Sequence, residues 1–153
     1  MPANMSVVDA RGATITVSFG AEFGFNWMAL RFSGTPSATG NVRIGYAGLQ
    51  QIPALAGQVW DLSQFVTLTA GDLTNIGNIR HVHQYRNAAG SSVSSGNGNA
   101  FVPTSTRTRF NGSALAVGAT IAFNEPEFSM DVTSGSAIDV TLRFANPVLR
   151  PTG

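Results

Sequence analysis

His81 and His83 are the only two imidazoles in the 153 residues, and they stand two positions apart. On an extended strand that spacing puts both rings on one face, about 7 Å apart along the chain, close enough to chelate a metal. Zinc catalysis needs a third protein ligand, and no spacing in the sequence identifies one. The alternative places His81, His83 and Tyr85 together on the wetter face of a sheet, with Val82 turned to the core. A serine hydrolase would have to recruit one of these imidazoles, and the G-x-S-x-G elbow is absent. Phosphate-cradling G-x-x-x-x-G-K and G-x-G-x-x-G motifs are also missing. With no cysteine, neither a thiolate metal site, a disulfide framework nor a cysteine nucleophile is available. Glycoside hydrolysis wants two carboxyl groups roughly 5–9 Å apart. Glu127 and Asp131, four apart on a strand, lie about 13 Å from each other, and these acids, with Glu125, read as solvated strand charges.

A binding surface fits the residues better than a reaction. Sugar recognition uses flat aromatic faces for C–H stacking, with guanidinium forks and amides for the hydroxyl groups. Alternation from Trp60, Leu62 and Val66 inward turns Asp61, Ser63, Phe65 and Thr67 outward. Phe65 beside His81, His83 and Tyr85 would form an exposed aromatic patch, to which Arg109 adds a fork donor; the competing expectation has Phe65 covered and Arg109 an ordinary surface charge. Trp27, opposite in phase to Met28, Leu30 and Phe32, is expected on an outer face with Arg31, open or covering an interface.

The elements that must hold these residues are strands. Apolar residues recur with period two: Ile138, Val140, Leu142 and Phe144; Ile15, Val17 and Phe19; Phe128, Met130 and Val132. The same signal appears at 41–46, and 27–32, 58–68, 79–85, 106–111 and 120–123 are further strand candidates, making about nine strands. Phe19-Gly20, Ser33-Gly34-Thr35-Pro36, Ala70-Gly71-Asp72, Asn111-Gly112 and Thr133-Ser134-Gly135 read as the turns between them. Residues 48–56 offer at most a turn of helix, limited by Pro53. Residues 87–99, NAAGSSVSSGNGN, read as a mobile small-residue loop, and 146–153 as a terminal strand passing into a linker. With no helix to cover a sheet, two antiparallel sheets must cover each other, so the expectation is an all-β sandwich, most simply a jelly roll, as a single domain over 1–153.

Composition narrows the partners. Charged residues make up 11% of the chain, under half of the usual ~25%, and all nine basic residues are Arg. Solubility then rests on 14 Ser, 14 Thr, 11 Asn and 17 Gly, a hydroxyl and amide surface typical of extracellular or particle-borne β proteins. A net charge of +1 offers no nucleic-acid or anionic-membrane footprint. No apolar run exceeds four residues, as at Trp27 to Leu30, so no membrane helix is encoded, and the start lacks the pattern of a secretory signal peptide. Oxygen-rich loops would admit a structural Ca²⁺, and no other cofactor is indicated.

Four segments, taken in order, carry a family resemblance. GQVWDLSQFVTLTAGDLTNI (57–76) resembles the G-x-x-W-x-L-S-x-Y/F-V-x-L-x-A-G-x-L stretch of the jelly-roll carbohydrate-binding-like domains of phage tail fibres and head-spike fibres. FVPTSTRTRF (101–110), SGSAIDVTLRFANPVLRP (134–151) and ALRFSGTPSATGNVRI (29–44) are similar to three further segments of that family. The resemblance implies a two-sheet jelly roll on a virion or gene-transfer particle, usually in a trimeric or other multimeric fibre, binding host cell-surface polysaccharide without catalysis. It carries no catalytic residues to transfer. The alternative is a purely structural decoration, spike or baseplate protein contacting other virion subunits. Val148-Leu149-Arg150 replaces the family's Gln-Leu-Glu, and His81 and His83 fall where an Arg-rich strand is common, so specificity would differ if these positions touch ligand. The start lacks the Asn-rich leader common before this domain, which would suit an excised or minimal module.

Overall fold

The computed structural model describes residues 5–46 and 51–152. Eleven strands form two antiparallel sheets: β1 (Met5–Asp9), β2 (Thr14–Glu22), β3 (Phe25–Gly34), β4 (Gly40–Tyr46), β5 (Ile52–Pro53), β6 (Val59–Gly71), β7 (Ile76–Arg86), β8 (Ser92–Asn97), β9 (Thr108–Leu115), β10 (Phe123–Val132) and β11 (Ile138–Thr152). One sheet has the order β1-β4-β10-β7-β8, with β5 beside β10; the other runs β2-β3-β11-β6-β9. No helix occurs among the described residues. The all-β sandwich expected from period two is therefore the fold.

Each strand contributes one face to the interlayer. Met28, Leu30 and Phe32 from β3, Leu62 and Val66 from β6, and Val140, Leu142 and Phe144 from β11 meet Val42 and Ile44 from β4, Ile79 from β7, and Phe128, Met130 and Val132 from β10. Phe128 sits at the centre, edge-on to Phe144 at 4.9 Å between ring centroids and 6.2 Å from Phe32. Removing a ring of this kind would cost about 3–5 kcal/mol, the lost transfer energy plus the cavity. A smaller cluster of Ala54, Trp60, Tyr85, Ala116 and Ile121 closes one end.

Several local expectations change. Residues 87–99 are not a free loop, because β8 pairs with β7 through Val82↔Asn97, His83↔Gly96 and Tyr85↔Ser94. The small side chains there are a packing requirement. A Cβ on Gly98 would meet the Gly112 backbone at 2.5 Å, and one on Gly112 would meet His81 Cβ at 2.6 Å, so β8 and β9 close the edge of the sandwich almost backbone to backbone. Gly20 and Gly112 lie inside strands and not at turns; the β2–β3 hairpin turns instead at Phe23-Gly24, both at positive φ (50° and 78°). Residues 146–152 continue β11, pairing with β6 from Val148↔Ser63 to Thr152↔Val59 after a register shift. Pairing with β3 stops at Ala145, so Pro147 and Pro151 occupy a stretch bonded on one side only, where a sheet tolerates proline. In 48–56 the described part contains the short strand β5 and no helical turn; residues 48–50 lie outside the described residues. Of the segment 120–123, only Phe123 is in a strand.

Candidate functional site

A groove lies on the outer face of the β2-β3-β11-β6-β9 sheet, and strand register builds it. Gly20↔Trp27, Trp27↔Ala145, Ala145↔Phe65 and Phe65↔Arg109 are successive cross-strand partners, so one row crosses all five strands. These positions are out of phase with Met28, Phe144 and Val66, which fill the core, so they face away from it. The row alternates small and large. Ala145 forms a low floor between Trp27 and Phe65, and Gly20 lies beneath the indole, since a Cβ there would fall 2.2 Å from Trp27 Cζ2. Phe25, from the next row of β3, leans toward Phe65 with centroids 6.4 Å apart at 58°. The resulting hollow has a volume of about 660 Å³, with Thr67, Thr69, Ser105 and Thr106 supplying hydroxyls along it.

Guanidinium groups edge the rings. Arg107 lies 5.2 Å from the Phe25 centroid and 5.3 Å from that of Phe65. Arg109 lies 5.0 Å from the Phe65 centroid and donates to Ser63 Oγ at 2.9 Å. Arg143 stacks on Trp27 at 4.2 Å and pairs with Glu22. Such contacts hold a flexible cation in place while its N–H edges remain available. Glu22 is the only carboxylate lining the groove, and it is tied to Arg143, so a second acid for glycoside hydrolysis is absent from the lining residues.

Of the five residues expected at an exposed patch, the structure puts Phe65, half-buried, in the groove wall and Arg109 against the Phe65 ring, outside the groove lining itself. The other three are corrected: His81, His83 and Tyr85 are fully buried on the inward face of β7. Partners from distant strands make that burial tolerable. Gln64 Nε2 lies 3.0 Å from His81 Nε2. His83 Nε2 lies 3.0 Å from Gly112 O, and its Nδ1 lies 3.0 Å from Asn124 Nδ2. The neutral tautomer protonated at Nε2 satisfies both His83 contacts, donating to the carbonyl and accepting from the amide. Tyr85 donates to Ala114 O at 3.0 Å. Burial pushes the pKa of His81 down to about 3 and lowers that of His83, while it pushes the Tyr85 hydroxyl up to about 12. These groups are neutral structural polar residues, closed to a glycan outside.

Phe25, Arg107 and Arg143 were missed by the strand-phase reading. Arg107 lies at the entry of the strand that holds Arg109, and both guanidinium groups stand at the Phe65 ring. The opposite sheet is less suited to a ligand. Its outer face carries Arg43, Arg80 and Arg86, each paired with an acid, Glu127, Asp131 and Glu125 respectively.

Known structures share this sandwich. No protein-family model and no curated protein matches the chain. The CBM22-1 xylan-binding domain from Paenibacillus barcinonensis Xyn10C is similar at 12% identity and a TM-score of 0.56, over 96% of this chain and 85% of that one. The family 11 carbohydrate-binding module of a Clostridium thermocellum cellulosomal cellulase superimposes with a TM-score of 0.60 at 11% identity, over 97% and 87% of the two chains. The enzymatically active domain of bacteriophage CBA120 tailspike protein 4 gives 0.55 at 13% identity, this chain spanning only 19% of that structure. At these identities the likeness is one of fold: the chain has the jelly-roll sandwich of carbohydrate-binding modules.

Proposed function

We propose that this protein is a non-catalytic glycan-binding module whose ligand lies in the groove on the outer face of the five-stranded sheet. The observation that carries the reading is the Trp27–Ala145–Phe65 row, two aromatic walls around a small floor on a rigid sheet, with fork donors at the rim. Sugars meet such a surface through C–H contacts to the rings and hydroxyl bonds to Arg and Thr. The fold supports it, as proteins of similar architecture include a domain described as xylan-binding. Affinity at a single shallow site is expected between millimolar and micromolar, and display of several copies would raise avidity by roughly 10²- to 10⁴-fold. We further propose that the module stands on the surface of a phage or phage-like particle and contacts a host polysaccharide. Support comes from the four ordered segment resemblances and from the fold shared with part of a phage tailspike.

A second reading, assembly with other subunits or copies in a trimeric fibre, draws on one observation. Val17 and Phe19 share the core side of β2, paired with Leu30 and Met28, yet remain 48% and 59% exposed at the sheet edge. Unsheltered apolar surface of this kind marks an interaction site.

The test is a glycan array with the chain fused to a trimeric carrier, followed by titration of the monomer against each ligand found. Phe65→Ala and Trp27→Ala should each weaken binding about tenfold or more with thermal stability nearly unchanged. No retention on any polysaccharide, even as a trimer, overturns glycan binding and favours the assembly reading. Release of reducing ends from a bound polymer would overturn the non-catalytic part.

A further inference from the structure

We infer that the groove selects an acidic glycan, one bearing carboxylate groups, with Arg107 and Arg109 as the residues that read the charge. The inference rests on the groove being the glycan site. Seven of the nine arginines lie within 4.0 Å of an acidic side chain: Arg11, Arg31, Arg43, Arg80, Arg86, Arg143 and Arg150. Among the described residues, which include all eight acids of the chain, Arg107 and Arg109 have no such partner. Both stand at one ring, Phe65. In a protein so sparing with charge, two uncompensated cations at this one ring, Arg107 lining the groove and Arg109 beside it, are a concentrated positive field in a chain of net charge +1.

Their setting favours a carboxylate over a neutral sugar. The two residues are two positions apart, Arg107 just before β9 and Arg109 within it, and both guanidinium groups come to the Phe65 ring, 5.3 Å and 5.0 Å from its centroid. Arg107 is steadied between Phe25 and Phe65, and Arg109 by Phe65 and Ser63. A guanidinium held by ring stacking has already lost part of its rotamer freedom, and its planar fork matches a carboxylate in two parallel bonds. Glu22, the lone acid of the groove, is already paired with Arg143 and does not cancel the other two cations.

The experiment uses the whole chain and isothermal titration with oligogalacturonate, its fully methyl-esterified form, xylohexaose, dextran sulfate and a single-stranded DNA oligomer. Oligogalacturonate should bind at least tenfold tighter than its ester or xylohexaose, and its affinity should fall as salt rises. Arg107→Gln/Arg109→Gln should erase that preference, a loss of about tenfold or more, and the two-lysine counterpart should restore part of it. Xylohexaose binding equal to that of oligogalacturonate, with no response in the double variant, overturns the acidic preference and leaves the glycan site standing. Binding of none of the sugars overturns both. Dextran sulfate or DNA bound as tightly as oligogalacturonate overturns carboxylate selection in favour of a general polyanion surface.

Discussion

Tyr85→Ala separates a structural from a recognition role for the buried aromatic row of β7. The phenol is fully buried, its ring lies nearly parallel to His83 at 6.3 Å, and its hydroxyl donates to Ala114 O at 3.0 Å. Truncating a buried aromatic to alanine costs about 3–5 kcal/mol, and stranding the Ala114 carbonyl adds about 1–3 kcal/mol. A domain of this size holds roughly 5–15 kcal/mol in total. At about 2–4 °C per kcal/mol, the midpoint should fall by roughly 8–32 °C. Tyr85→Phe keeps the volume and gives up the bond alone, so a drop of roughly 2–12 °C is expected. Calorimetry gives the midpoints, and urea unfolding checks them. Titration against the array's best glycan, at a temperature where both variants are folded, should return unaltered affinity. An unchanged midpoint with lost glycan affinity would refute the assignment and put Tyr85 at the binding surface.

Acid should weaken the fold through the two imidazoles. Both have folded-state pKa values below their unfolded values, so the stability they confer is whole above about pH 6.5 and is lost as pH falls toward the folded pKa of about 3 for His81. Midpoints measured from pH 7 to pH 4 should decline, and His81→Gln should flatten the slope; an equal slope in that variant would show that the imidazole is not what titrates. Glu127, raised by burial, works in the opposite sense above its ordinary value of 4.5, softening the decline. Gly112→Ala should cost about 1–3 kcal/mol, because its methyl would meet His81 Cβ at 2.6 Å. Unaltered urea unfolding would mean the β8–β9 edge has room to spare.

Periodicity carried most of the architecture, because a half-buried strand must alternate and β2, β3, β4, β10 and β11 do so openly. It failed where polarity and burial part company. His81, His83 and Tyr85 look like outward residues, yet Ile79 shares their phase and Arg80, Gln84 and Arg86 hold the other. The phase of β7 was readable from those neighbours. What could not be read was the means of burial, since Gln64, Asn124 and Gly112 reach the imidazoles from 17, 41 and 29 residues away. β8 escaped notice for a related reason: its serines and glycines resemble a linker until the approach of β9 shows why nothing larger fits. The groove was half visible. Phe65 followed from alternation in β6, but its neighbours Phe25 and Arg107 come from a hairpin and a strand entry, where phase arguments lose their grip.

The row across the five strands also separates two inheritances. Trp27 adjoins Met28, Phe65 adjoins Val66, and Ala145 adjoins Phe144, each pair divided between outside and inside. Substitutions in the outward partner spare the inward one, so a lineage can redraw one side of the cloth while the weave beneath it stays the same.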